Sequence, residues 1–276
     1  MRFEQSAERD DLDEAISLHR DALELFRTGH PNRSTSLSNL ALTLVTRFEQ
    51  SGEREDLDEA ISLHRDALEL LPTGRPNRST FLNSFANSLQ TRFEQSGERE
   101  DLDKAISLHR DALELRPAGH PYRSDSLNNL AITVKMRFDQ SGERDALDEA
   151  ISLHRDALEL FPTGHPSRSS SLTNLALALA KRFKQSGERE DLNEAISLHR
   201  DAVELFPTGH SRRSSSLSNL ALALAMRFEQ SGEHGDLEGH FTAPRCTRAV
   251  PDGPFESIRL PQQSRARTSN EVWAVR

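Results

Sequence analysis

The sequence predicts an all-α protein built as a solenoid of repeated helix hairpins, and two observations lead to this fold class. The decapeptide ISLHRDALEL begins at residues 16, 61, 106 and 151, and a fifth copy, ISLHRDAVEL, begins at residue 196. An Arg-Phe pair recurs every 45 residues, with its phenylalanine at Phe3, Phe48, Phe93, Phe138, Phe183 and Phe228. A fixed period of this size is typical of stacked units, none of which buries its apolar face alone.

The second half of each unit predicts an amphipathic helix, which we call helix B and expect at about residues 55–71 in the second copy. Its apolar stripe follows steps of three and four residues. The stripe consists of Leu57, Ala60, Ile61, His64, Ala67, Leu68 and Leu71. Asp56 and Glu59 predict a capping box at the start of this helix. Lys104 and Ala146 interrupt that box in the third and fourth units.

The first half of each unit predicts a second helix, helix A, at about residues 31–51. Its stripe consists of Leu37, Leu40, Ala41, Leu44, Val45 and Phe48, and Ser51-Gly52 marks its end. Small residues such as Ala41 and Ala60 allow helices A and B to approach to about 8–10 Å.

The spacing of these residues resembles a known family. Ala60, His64, Ala67 and Pro72 are placed as in the second helix of a tetratricopeptide repeat, with His64 in place of the usual aromatic residue. Leu40-Ala41 and Leu44 resemble the signature of its first helix. The 45-residue unit is longer than the usual repeat of about 34 residues. It resembles the long repeats of kinesin light chains and the near-identical arrays of basidiomycete fungi, which often precede a CHAT protease domain. The resemblance implies a right-handed superhelix with a concave, peptide-binding groove.

The repeat pattern predicts two regions, a repeat array over residues 1–238 and a tail over residues 239–276. The chain begins at Arg2-Phe3, in the last turn of a helix A, so we expect only a frayed turn before Asp11. The sixth helix A, at about residues 214–230, is followed by sequence without the period. Because Pro, Arg, Ser and Gln dominate this tail, we expect it to be disordered. It leaves no room for a CHAT domain of ordinary size.

Composition excludes several classes of protein. The formal net charge of −9 argues against a general nucleic-acid coat. Cys246 is the single cysteine, which excludes an intrachain disulfide and predicts a cytoplasmic location. No apolar run approaches the roughly 18 residues of a membrane span.

Two recurrent sets of histidines suggest chemistry. Helix B carries a ladder formed by His19, His64, His109, His154 and His199. A metal needs ligand atoms about 2 Å from one centre, whereas stacked helices lie about 8–10 Å apart. We therefore interpret the ladder as amphipathic residues at the core edge. A second set, His30, His120, His165 and His210, precedes helix A and predicts a loop or capping role. The sequence contains no phosphate loop, HExxH or GxSxG motif, so we predict no enzyme, metal or cofactor.

Functional differences between units are expected on helix A, because helix B hardly varies. In the family that this chain resembles, an asparagine ladder hydrogen-bonds the backbone of an extended peptide. An amide side chain supports this role because it both donates and accepts hydrogen bonds. The candidate groove residues are Asn39, Asn83, Asn87, Asn128, Asn129, Asn174, Asn219, Lys135 and Lys181. The competing interpretation is that this stripe has only drifted since duplication.

Two classes of function follow from the sequence. The first is a non-catalytic scaffold that binds a protein or peptide partner in the groove. The second is a structural or self-associating solenoid that uses uncapped array ends, as in a remnant of a larger receptor-like protein. The sequence does not identify the partner.

Overall fold

The computed structural model describes residues 2–26, 30, 32–162, 164–165, 167–206 and 211–231. Regular structure within these ranges consists of ten α-helices, which confirms the predicted all-α class. They are α1 (Arg2–Leu25), α2 (Arg33–Ser51), α3 (Arg54–Leu70), α4 (Arg78–Ser96), α5 (Arg99–Glu114), α6 (Arg123–Ser141), α7 (Arg144–Leu160), α8 (Arg168–Ser186), α9 (Arg189–Glu204) and α10 (Ser211–Ser231). The tail predicted at residues 239–276 lies outside the described part of the chain.

Consecutive helices form the predicted hairpins. The four pairs α2–α3, α4–α5, α6–α7 and α8–α9 each consist of a helix A followed by a helix B. Each hairpin packs on the next, because α3 contacts α4, α5 contacts α6 and α7 contacts α8. The A helices also contact one another directly, α2 with α4, α4 with α6 and α6 with α8. The A helices therefore form a continuous layer along the solenoid.

The core lies between helices A and B, along the stripes that the sequence predicts. Ala41, Ala60 and Ala67 are fully buried, so the helix axes approach each other at the small residues. Leu44 and Leu57 fill the space beside them with exposed fractions of 0% and 1%. No helix in the described ranges is long and apolar enough to cross a membrane.

Glycine ends α2, α4, α6 and α8, and its absence changes the first helix. Gly52 has a φ of 74°, in the left-handed region that favours glycine, and its N–H donates to the carbonyl of Phe48. The residue at this position of the first unit is Ala7, and the chain there stays helical from Arg2 to Leu25. The expectation of a frayed turn before Asp11 was therefore wrong. An alanine does not readily adopt the left-handed conformation that breaks the other units.

The predicted capping boxes were also wrong. The N-cap residue of α3 is Glu53, whose backbone N–H donates to the Ser51 hydroxyl at 3.1 Å, and no side chain caps the helix. Asp56 lies inside the first turn and accepts two hydrogen bonds from Arg47. The bidentate pair gives the carboxylate two charge-assisted hydrogen bonds from a cationic donor, so Asp56 is engaged with the guanidinium group rather than with a backbone N–H.

Arginines at the start of the A helices satisfy carbonyl groups at the end of the preceding B helices. Arg78 Nη1 donates to the carbonyl oxygens of Leu68 and Leu71 at 3.1 and 2.7 Å. The same contact is made by Arg33, Arg123, Arg168 and Arg213. Because the last carbonyls of a helix have no partner within it, these arginines fix the turn between units.

Candidate binding surface

The surface that varies most between units lies where neighbouring A helices meet. In α2 it comprises Asn39, Leu42, Val45, Thr46 and Glu49. We call these five positions, together with their equivalents in α4, α6, α8 and α10, the A face. Side chains of adjacent units touch there, since Thr133 on α6 donates a hydrogen bond to Gln90 Oε1 on α4 at 2.9 Å.

A groove of about 280 Å³ opens on the A face between α2 and α4. Its lining residues are Leu42, Val45, Thr46, Glu49, Ser84, Asn87, Ser88 and Thr91. The groove combines two apolar side chains with amide, hydroxyl and carboxylate groups. Such a lining provides both contact area and hydrogen-bonding groups for a bound chain.

Two of the candidate asparagines lie inside the packing between units. Asn83 is 7% exposed, and its amide donates to the Ser126 hydroxyl of the next unit at 3.0 Å. Its carbonyl oxygen lies 2.8 Å from His109 Nδ1. Asn128 is 9% exposed and accepts a hydrogen bond from Ser171 at 2.9 Å. Because their amides join one unit to the next, we leave these two residues out of the candidate surface.

The other candidate asparagines lie on the A face. Asn39 and Asn87 are exposed, whereas Asn129, Asn174 and Asn219 are half-buried. Within the described part of the chain, none of their side-chain amides has a hydrogen-bond partner. Asn128 is therefore used in packing, whereas Asn129, the next residue in the helix, retains its donor and acceptor groups for a ligand.

Exposed leucines lie beside these amides. Leu42, Leu177 and Leu222 occupy the same position of three A helices and are 47%, 40% and 65% exposed. Asn87 and Ile132 occupy that position in α4 and α6. Exposed apolar side chains surrounded by polar groups are typical of interaction surfaces.

The two candidate lysines share one carboxylate. Lys135 Nζ lies 2.8 Å from Asp139 Oδ2, and Lys181 on α8 pairs with the other oxygen of Asp139. The Lys181 ammonium also lies 5.4 Å from the centre of the Phe138 ring. The structure thus brings Lys135 and Lys181 together across the boundary between α6 and α8.

Four of the five ladder histidines lie in the core rather than at its edge, whereas His19 is half-buried. His64, His109, His154 and His199 are at most 1% exposed. Burial lowers the pKa of each imidazole to about 4, because the charged form would lose its hydration. These side chains therefore remain neutral near pH 7. No cluster of three metal-ligating side chains occurs in the described ranges.

The second histidine set has the predicted capping role in the units that the structure describes. Nδ1 of His30 accepts a hydrogen bond from the backbone N–H of Asn32 at 3.2 Å. His120 and His165 make the same contact with the N–H groups of Tyr122 and Ser167. His210 lies outside the described residues.

Sequence reasoning missed a ladder of arginine–aspartate pairs behind the A face. Arg47 Nε lies 2.7 Å from Asp56 Oδ2, and its Nη1 lies 2.7 Å from Asp13 in the preceding unit. Arg92 and Arg182 repeat both contacts in their own units. Each guanidinium group therefore joins a helix A to two B helices. The feature of the sequence that could have predicted these pairs is an arginine placed nine residues before each aspartate.

One unit lacks the aspartate of this pair. Ala146 replaces it, and the equivalent Arg137 contacts Glu149 at 3.3 Å instead. Nε of Arg137 is buried and has no hydrogen-bond partner. The fourth unit thus contains a defect that its neighbours do not share.

Comparisons with known proteins confirm the resemblance predicted from the repeat. Residues 33–71, which span α2, α3 and Leu71, match the family model described as Tetratricopeptide repeat. The structure is similar to that of BtubC (BKLC) from P. vanneervenii, with a TM-score of 0.58 and 17% identity over 88% of this chain and 98% of that chain. It is also similar to nearly identical TPR-like repeats from Podosopora anserina that are named after kinesin light chain. That similarity has a TM-score of 0.51 and 20% identity over 72% of this chain and 92% of that chain. No curated protein sequence matches the chain. These low identities establish the fold alone.

Proposed function

We propose that this solenoid of tetratricopeptide-like repeats is a non-catalytic scaffold that binds a protein or peptide segment on its A face. The observation that carries the proposal is the groove between α2 and α4, where the exposed Leu42 lies with Asn87. The single cysteine, Cys246, supports a cytoplasmic location for this scaffold.

The A face has the chemistry that an extended segment requires. Amides such as those of Asn129 and Asn174 can donate to and accept from a peptide backbone, whatever its side chains are. Exposed leucines such as Leu177 offer contacts to apolar side chains of the same segment. Hydrogen bonds to the backbone then contribute affinity, and the residues that differ between units contribute selectivity.

Site-specific photo-crosslinking tests this proposal. A photoreactive amino acid replaces Leu42 on the A face in one full-length bait and Leu160 on α7 in the control bait. The two leucines are matched in exposure, at 47% and 46%. We expect partner crosslinks from position 42 and not from position 160. Equal crosslinking from both positions would reject the A face as the binding surface.

Self-association is the second candidate, and one observation favours it. Leu217 on α10 is 44% exposed, whereas Leu172 at the equivalent position of α8 is 4% exposed. An apolar face that is covered elsewhere in the array is thus accessible on α10. Sedimentation velocity over a range of concentrations tests this candidate. Assembly that Leu217→Glu abolishes would support it, and a monomer at all concentrations would exclude it.

A further inference from the structure

We infer that the partner segment carries separated charges and lies along the A face in one orientation, with its basic end at α2–α4 and its acidic end at α6–α8. The inference rests on the proposed function and adds the chemistry of the ligand. It follows from the order in which charged side chains occur along the A face.

The α2–α4 end of the A face is acidic. Glu49 and Glu94 occupy equivalent positions and are both exposed. Gln90 Nε2 donates to Glu94 Oε1 at 3.4 Å, which is a contact with a neutral amide. Neither carboxylate forms an ion pair within the described ranges. A bound ammonium or guanidinium group would therefore find two unneutralised carboxylates at this end.

The α6–α8 end is basic. Lys135, Lys181 and Lys184 lie there, and Asp139 is the carboxylate between them. Asp139 already contacts the first two ammonium groups, so three positive charges face one negative charge. Lys184 is exposed and forms no ion pair with any described residue. This end would attract a carboxylate of the ligand.

The change of sign occurs along a single register. The position held by Glu49 in α2 is held by Glu94, Asp139 and Lys184 in the next three A helices. It becomes acidic again at Glu229 on α10, which limits the basic region to α6 and α8. Leu42, Ile132 and Leu177 occupy a parallel register in α2, α6 and α8, and Asn87 occupies it in α4. The ligand that fits is thus oppositely charged at its two ends and also carries apolar side chains.

The size of the A face sets the length of such a ligand. Packed helices lie about 8–10 Å apart, so the three steps from α2 to α8 span about 24–30 Å. An extended chain rises by about 3.3 Å per residue, so about seven to nine residues cover this distance.

Designed peptides test the inference. Two fluorescent peptides of nine residues have the same composition of lysine, leucine and glutamate. The segregated peptide has lysines at one end, leucines in the centre and glutamates at the other end. In the interleaved peptide the three residue types alternate along the chain. Fluorescence anisotropy is measured with the full chain. We expect the segregated peptide to bind about tenfold more tightly, and salt to reduce this preference.

Protein variants locate the effect. The double variant Glu49→Lys/Glu94→Lys should lose the preference for the segregated peptide. The control Glu69→Lys/Glu159→Lys makes the same change in charge at exposed positions of the B helices and should keep it. Loss of the preference in both variants would show a general effect of net charge and would overturn the inference.

The remaining outcomes separate this inference from the proposed function. Equal binding of the two peptides, or no binding of either, would overturn the charge order. If crosslinks from position 42 still capture a partner in that case, the scaffold function stands without it. If those crosslinks also fail, both proposals fail.

Discussion

The two sides of each A helix differ in how much they change from unit to unit. On the side that packs against the B helices, Ala41, Ala86, Ala131 and Ala176 are identical and fully buried. One residue later, on the A face, the sequence changes through Leu42, Asn87, Ile132 and Leu177. We call this packing side of the A helices, together with the B helices, the frame. Its residues contact the same neighbours in every unit. Some A-face side chains, such as Val45 and Met136, still pack against clusters that include B-helix residues. Leu42 and Leu177 are exposed, so their register is free to vary.

The two deviations of the frame are informative because the other units serve as controls. Ala146 removes a carboxylate from the arginine–aspartate ladder. Lys104 interrupts a second ladder on the B helices, in which Arg20 pairs with Glu59, Arg110 with Glu149 and Arg155 with Glu194. Repairing either deviation should change stability and leave the A face intact.

The largest expected effect is the pH dependence of the frame. The folded-state pKa of the buried histidines, about 4, lies below the ordinary value of 6.5. Between these values the unfolded chain binds protons that the folded chain excludes. Stability is therefore full above pH 6.5 and falls as the pH is lowered, by about 1.4 kcal/mol per histidine and pH unit.

Urea denaturation at pH 7.5, 6.0 and 5.0 checks this dependence. His154→Leu should lose less stability than the parent over this range, because one proton-binding site of the unfolded chain is removed. Equal stability of the parent at all three pH values would contradict a neutral, buried ladder.

The next effect separates a frame leucine from an A-face leucine. Leu147→Ala, at a fully buried position, should destabilise the chain by about 2–5 kcal/mol through lost burial and a cavity. Leu177→Ala on the A face should change stability by less than about 0.5 kcal/mol. The free energies of unfolding in urea measure both, and similar losses would erase the distinction between the two sides.

A smaller effect is expected in the arginine–aspartate ladder. Asp101→Ala leaves Arg92 without its main partner and should cost about 1–3 kcal/mol. The reciprocal change, Ala146→Asp, gives Arg137 the missing carboxylate and should stabilise the chain by roughly 1 kcal/mol. Thermal unfolding of the two variants and the parent shows whether one substitution lowers the stability and the other raises it. A destabilising Ala146→Asp would mean that Arg137 has no room for the pair.

The smallest effect concerns the exposed ladder on the B helices. Lys104→Glu places a carboxylate opposite Arg65, and an exposed pair of this kind contributes about 0.2–1 kcal/mol. Lys104→Gln removes the like charge without forming the pair and serves as the control. Urea midpoints at low and high salt should show a gain for Lys104→Glu that salt weakens. A gain independent of salt would have another origin.

The sequence placed the helices well because hydrophobic periodicity depends on burial alone. Helix A of the second unit was expected at about 31–51 and runs from Arg33 to Ser51. Helix B was expected at about 55–71 and runs from Arg54 to Leu70. The start of the chain was misjudged because a single exchange, Ala7 in place of glycine, removes the break between two helices.

The candidate surface was harder to predict because neighbouring residues of a helix point about 100° apart. Asn128 and Asn129 look alike in the sequence, but only the first reaches the next unit. The role of Asp56 was missed for a similar reason. Its carboxylate finds Arg47 across the hairpin, and that contact depends on how the two helices are packed rather than on local sequence.

The central claim is that the frame supplies stability and the A face supplies binding. The most direct test of this claim is the affinity for a partner segment that crosslinking has identified, measured by fluorescence anisotropy. The segment is titrated with the A-face variant Asn129→Ala/Asn174→Ala and with the B-helix control Asp111→Ala/Asp156→Ala. Several lost hydrogen bonds of about 0.5–1.5 kcal/mol each should weaken binding to the first variant by about tenfold or more. The control should bind like the parent, and circular dichroism should show both variants folded. Unchanged affinity in the folded A-face variant would contradict the claim.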